Sequence, residues 1–232
     1  MIRTVALVAV MATSACAETI VSAQYDAPTD RYAHGILGDA IEWGELQITS
    51  DLGVRSFVLP QDRVFEDVAP RLADLDGDGT AEVVVVETLN REGAQLAIYD
   101  ETGKIAATPH IGRTNRWLAP IGVADLDGDG IIEVAYIDRP HLAKTLRVWQ
   151  FVDGALEPVA DLSGLTNHRI GESDIGGGIR DCGQGPEMIT ASADWTKVMA
   201  TTLTNGQLTS RAIGTHVNRS SFATALACET LP

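Results

Sequence analysis

The heptapeptide Ala-Asp-Leu-Asp-Gly-Asp-Gly occurs twice in this chain, at 73–79 and at 124–130. Counted from Asp74, the first copy places carboxylates at positions 1, 3, 5 and 9 (Asp74, Asp76, Asp78 and Glu82) and the backbone carbonyl of Thr80 at position 7. The second places Asp125, Asp127, Asp129 and Glu133 in the same way, with the carbonyl of Ile131 at position 7. Carboxylates this close repel one another unless a cation lies among them. Hard oxygens at this spacing, with Gly79 or Gly130 at position 6 to allow a sharp turn, suit Ca²⁺. Mg²⁺ suits them less, because it demands a strict octahedron and gives up its water reluctantly. An EF-hand begins alike but requires a bidentate Glu at position 12, where this chain has Val85 and Tyr136. All the donors of each site come from one contiguous segment. That makes a staple for a hairpin rather than an open metal site with room for a substrate.

The elements around the loops read as strands. Apolar runs follow each glutamate, Val83–Val86 and Val134–Ile137, and residues of this kind favour sheet. A further strand then ends in turn chemistry, at Asp100–Gly103 in the first copy and Asp153-Gly154 in the second. The repeating unit is thus strand, acidic loop, strand, strand, tight turn, strand. Two weaker copies flank the pair: Asp39–Glu45 before Leu46-Gln47-Ile48, and Asp181–Glu187 before Met188-Ile189-Thr190. Their loops are shortened and have lost most of their acids. A fifth opening strand is expected at Ser220–Cys228. An Arg precedes each of the five openings: Arg31, Arg63, Arg116, Arg169 and Arg219. A four-stranded antiparallel unit of about 50 residues cannot bury both its faces alone, and stacking such units around an axis does so. The expected fold is all-β: a small β-propeller of about five, alternatively four, four-stranded antiparallel blades. In the five-bladed arrangement Glu18–Tyr25 completes the last blade and closes the ring.

With its loops and strands in this order, the repeat resembles the FG-GAP/VCBS family, the calcium-loop blades of integrin α-subunit propellers and of many secreted bacterial proteins. The resemblance is close over Val68–Asp138 and weak elsewhere, and the Phe-Gly pair of the family's name is absent. In that family D-x-D-x-D-G-x-x-[DE] joins the first two strands of a blade and holds a structural Ca²⁺. The resemblance therefore implies two such ions here, and a role in adhesion or recognition of a protein or polysaccharide.

The N-terminus carries one charge at Arg3, a short apolar run at Val5–Met11 and the triplet Ala15-Cys16-Ala17. This is the pattern of a secretory signal peptide at 1–17, cut after Ala17. A lipoprotein signal acylated at Cys16 is the alternative. Residues 18–232 then form the mature domain, periplasmic or extracellular, and no later run is long enough to span a bilayer. Losing Arg3 leaves 16 basic against 32 acidic residues, a net charge of −16, which repels nucleic acid. Cys182 and Cys228 remain, an even number in an exported chain, and read as one disulfide.

Catalytic chemistry is hard to find in the rest of the chain. Nucleophile-elbow, zincin and phosphate-loop motifs are absent. Glu42, Glu45, Glu172 and Asp174 are candidates for the paired carboxylates of a glycosidase, but nothing singles out a pair. Trp43, Trp117, Trp149 and Trp195 do not recur at equivalent repeat positions, as a sugar-binding ring of aromatics would. They are expected to pack between blades or cap an end. The five histidines fall in loop-like stretches and are expected to be solvated, and Asn218-Arg219-Ser220 matches a glycosylation sequon. The expectation is a non-catalytic binding module, with a carbohydrate-binding or carbohydrate-active propeller as the alternative.

Overall fold

The computed structural model describes residues 18–232; the expected signal peptide, 1–17, and the alternative lipid site at Cys16 lie outside them. The first unit comprises β1 (Ile20–Thr29), β2 (Glu42–Ser50) and β3 (Gly53–Val58), with β2 in the middle. The second has an interrupted inner strand, β4 (Arg63–Phe65) and β5 (Arg71–Ala73), followed by β6 (Glu82–Leu89), β7 (Gly93–Asp100) and β8 (Gly103–Ala107). Phe65 pairs with both Trp43 and Glu87, which joins the first two units into one eight-stranded sheet. The third unit is an antiparallel sheet of β9 (Leu118–Ala124), β10 (Glu133–Asp138), β11 (Thr145–Val152) and β12 (Ala155–Ser163). The fourth again splits its inner strand, into β13 (Leu165–Thr166) and β14 (Gly178–Asp181), before β15 (Pro186–Ser192), β16 (Lys197–Thr204) and β17 (Gln207–Thr215). The fold is all-β and propeller-like, as expected.

The units stack face to face in chain order, and strand alternation explains how. On β6, Val83 and Val85 face the first unit with Leu46, Ile48 and Phe65, while Val84 and Val86 face Trp117, Leu118 and Tyr136 of the third. On β10, Ala135 and Ile137 point the other way, onto Met188 and Leu203 of the fourth. Strands buried on both faces read as unbroken apolar runs rather than alternating ones, hence Val83–Val86. The loop between β1 and β2 braces the array. The Tyr32 hydroxyl accepts a bond from the Asn115 amide (2.8 Å), Ile36 enters the core between the second and third units, and its carbonyl accepts from the Gly171 amide at 3.1 Å.

Two expectations are corrected. Ser220–Cys228 does not open a fifth blade: Ser220–Leu226 is a helix, α1. Phe222, Ala225 and Leu226 are spaced for one helical face and cover Ile189, Ala191, Val198 and Ala200, the far face of the fourth unit. Nor does Glu18–Tyr25 complete the last unit, because β1 pairs along its length with β2. Among the described residues no strand of the fourth unit pairs with the first. A helix thus caps one end of the array. The outward face of the first unit carries Glu45, Gln47 and Thr49 of β2, set opposite Val58, Ser56 and Val54 of β3.

The Cys182–Cys228 bond is formed, with 5.8 Å between the Cα atoms. Its work differs from that expected. It ties the β14–β15 loop to the end of α1, so it secures the cap rather than a ring closure. The five arginines share no common partner: Arg63 pairs with Glu87, Arg169 stacks over Trp195, and Arg219 reaches Glu172 and Asp174.

Candidate metal centres

Each acidic loop links an inner strand to its neighbour, β5 to β6 and β9 to β10, and both fold by the same local bonds. Asp74 accepts from the amides of Gly77 (2.8 Å) and Gly79 (3.0 Å), and Asp125 accepts from Gly128 (2.7 Å) and Gly130 (3.1 Å). All four glycines have positive φ, between 77° and 89°, a conformation that costs glycine little. Asp78 accepts from the Thr80 amide and Asp129 from the Ile131 amide, at 2.7 and 2.8 Å. At position 9, Glu82 and Glu133 reach back to the amides of Leu75 and Leu126, both at 2.7 Å. Those leucines are buried and anchor each loop to the core. The Leu at position 2 is the acidic loop's tie to the fold, a role that its type alone could have signalled.

The donor sets converge in part. Oxygens of Asp74, Asp76 and Asp78 lie within 4.8 Å of one another, as do those of Asp125, Asp127 and Glu133. Glu82 in the first loop and Asp129 in the second stand outside these triplets. Burial pushes the Glu82 carboxyl up to about 7, and repulsion from Asp76, Asp78 and Asp74 adds to the rise. Glu133 is raised to about 7 by the same causes. Negative charge is thus crowded at both loops in the way that a bound divalent cation relieves, and the oxygen-only donor set fits calcium. Asp76 and Gly130 line one shared cleft, so the two loops are neighbours at the same end of the array.

The family model of the FG-GAP-like repeat matches residues 74–136. The matched FG-GAP-like segment begins at Asp74, the first donor of one loop, and ends three residues after Glu133, the last donor of the other. It takes in the whole of β6, β7 and β8. None of the curated proteins matches the chain.

The remaining candidates are dispersed or neutralised. Glu172 and Asp174 both pair with Arg219. Glu42 is buried, and burial together with Glu66 and Asp39 nearby pushes its carboxyl up to about 9. Of the tryptophans, Trp117 is buried between the second and third units and Trp195 packs beside α1. Asn218 accepts bonds from the amide and hydroxyl of Ser220 at the start of α1.

The histidines depart from expectation, since His168 and His216 are buried. The Nε2–H of His168 donates to the Glu172 carbonyl (2.9 Å), so its Nδ1 accepts from the Nε2–H of His141 at 3.1 Å. Burial lowers both, His141 to about 4, and keeps the pair neutral. No sequence motif announces this pair, because it joins loops of the third and fourth units that only the stacking brings together.

Proposed function

We propose that this chain is an exported, non-catalytic binding module stiffened by two structural calcium ions, one in each acidic loop. The observation that carries this reading is the repetition of one turn geometry, with the same four amide-to-carboxylate bonds, around two carboxylate clusters. The ligands of one ion would be Asp74, Asp76, Asp78, Glu82 and the Thr80 carbonyl. Those of the other would be Asp125, Asp127, Asp129, Glu133 and the Ile131 carbonyl. The disulfide is compatible with export, and among the described residues no helix is long and apolar enough to cross a membrane. Because β9 runs toward the acidic loop and β10 returns from it, loops 115–117 and 139–142 lie at the opposite end of the strands. A cavity of roughly 280 Å³ opens there between His34, Trp117, His141 and Ile170, and this end is the surface offered to a protein or polysaccharide partner. The burial of Trp117 and the pairing of Glu172 and Asp174 with Arg219 weigh against a sugar platform or a glycosidase pair.

The test is a thermal melt of the disulfide-intact protein in chelator and across a calcium titration, with Mg²⁺ as control. Two independent sites, each filled at a hundred times its dissociation constant, add about 5 kcal/mol by linkage. The expected result is a large, calcium-specific rise in Tm that Asp76→Ala combined with Asp127→Ala abolishes. No shift with either metal would sink the calcium reading.

A further inference from the structure

The first unit lacks a strand that its three siblings have. In the second, third and fourth units a hairpin returns the chain so that β8 pairs with β7, β12 with β11 and β17 with β16. After β3 there is no such return. Leu59 is buried, Pro60 follows, and the chain passes on to β4 in the next unit. Among the described residues β3 pairs only with β2, so its other edge presents unpaired backbone donors and acceptors.

That edge is also weakly protected. Natural sheets blunt open edges with charges, proline or bulges. Here β12 carries Glu157 and Pro158 and lies between β8 and β17. By contrast, β3 reads Val54-Arg55-Ser56-Phe57-Val58, with Val54 62 % and Val58 71 % exposed. Its single charge, Arg55, is exposed but paired with Glu18, and Phe57 packs against the core.

We infer that β3 is the contact through which two copies of this chain associate, each supplying the fourth strand that the other lacks. The sequence of β3 names the occupant. An isologous two-fold contact sets the same patch against itself, so the strand must be complementary to its own antiparallel copy. Antiparallel pairing centred on Ser56 sets Val54 opposite Val58 of the second copy and Arg55 opposite Phe57, so valine meets valine and no like charges face each other. Six residues span only about 20 Å, so the interface falls in the small class of weak, transient contacts. The net charge of −15 on the full chain makes the copies repel at long range, so added salt strengthens the association.

Sedimentation velocity from about 1 µM to 1 mM protein, with calcium present throughout, reads the monomer–dimer equilibrium. Val54→Lys with Val58→Lys sets lysine opposite lysine twice and weakens the dimer about tenfold or more. Val54→Lys with Val58→Glu restores complementary pairs and keeps it. Both substitutions lie on an exposed face, and unchanged melting temperatures confirm that the fold is intact. Register is read by oxidative cross-linking. Directly opposed residues lie about 4.5–5.5 Å apart, within disulfide reach, so Ser56→Cys links to itself and Val54→Cys does not. A wild-type chain that stays monomeric, or a double-lysine variant that dimerises like wild type, overturns the proposal. Equal cross-linking at both positions overturns the Ser56 register.

Discussion

Replacing Cys182 and Cys228 with serine tests the cap directly. The bond joins residues 46 apart, and the loop between them contains the whole of β15, β16 and β17. In the chain-entropy account, closing a loop of that length removes about 14 cal/mol/K from the unfolded state, or about 4 kcal/mol at room temperature. For a domain of this size each kilocalorie moves Tm by about 2–4 °C, so the double-serine variant melts roughly 8–16 °C lower. The loss has a local component as well. Helix α1 has seven residues, too few to persist in water unless held against the fold. Without the bond it is held by Phe222, Ala225 and Leu226, by the Arg180 guanidinium donating to the Ala225 carbonyl, and by the ion pairs of Arg219 at its start. The assay is urea denaturation of oxidised wild type and variant, both saturated with calcium, together with hydrogen exchange across 220–226. The expected result is a lower midpoint and faster exchange in the helix than elsewhere. A loss below about 1 kcal/mol with unchanged exchange in α1 would refute the reasoning, because the bond would then restrain neither the unfolded chain nor the cap.

Two predictions concern ionisable groups that the fold buries wholly or in part. His141 has a folded pKa of about 4 against roughly 6.5 when unfolded. The unfolded state therefore binds the extra proton first, and stability falls as pH drops from about 6.5 toward 4. His141→Gln flattens that slope in melts recorded across the interval, and an unchanged slope would show that His141 is not responsible. Glu42 behaves in the opposite sense. Its folded pKa of about 9 lies above the ordinary carboxyl value, so the stability it allows at low pH is lost progressively as pH rises toward 9. Glu42→Gln is therefore stabilising by more than about 1 kcal/mol at pH 8 and neutral at pH 4; equal effects at the two pH values would contradict the assignment.

What the sequence determined by itself was local. Asp74–Glu82 and Asp125–Glu133 carry their donors, their glycines and their turn within nine residues, so the loops and the strands behind them were legible without any long-range contact. The repeat period announced a stack of antiparallel units, and an even pair of cysteines announced the bond. Ser220–Cys228 shows where a strand expectation carried over from the repeat failed. The spacing of Phe222, Ala225 and Leu226 was a helical signal already present in the chain. The partner of β1 was a different matter. An extended segment pairs with whichever edge the assembled sheets offer it, and its own side chains do not name that edge. Only the tertiary structure decided that β1 returns to β2, that the array ends in a helical cap, and that β3 keeps an open edge. The same holds for His141 and His168 and for Glu42: burial by residues distant in sequence sets their charge, whereas short-range geometry sets the turn of an acidic loop.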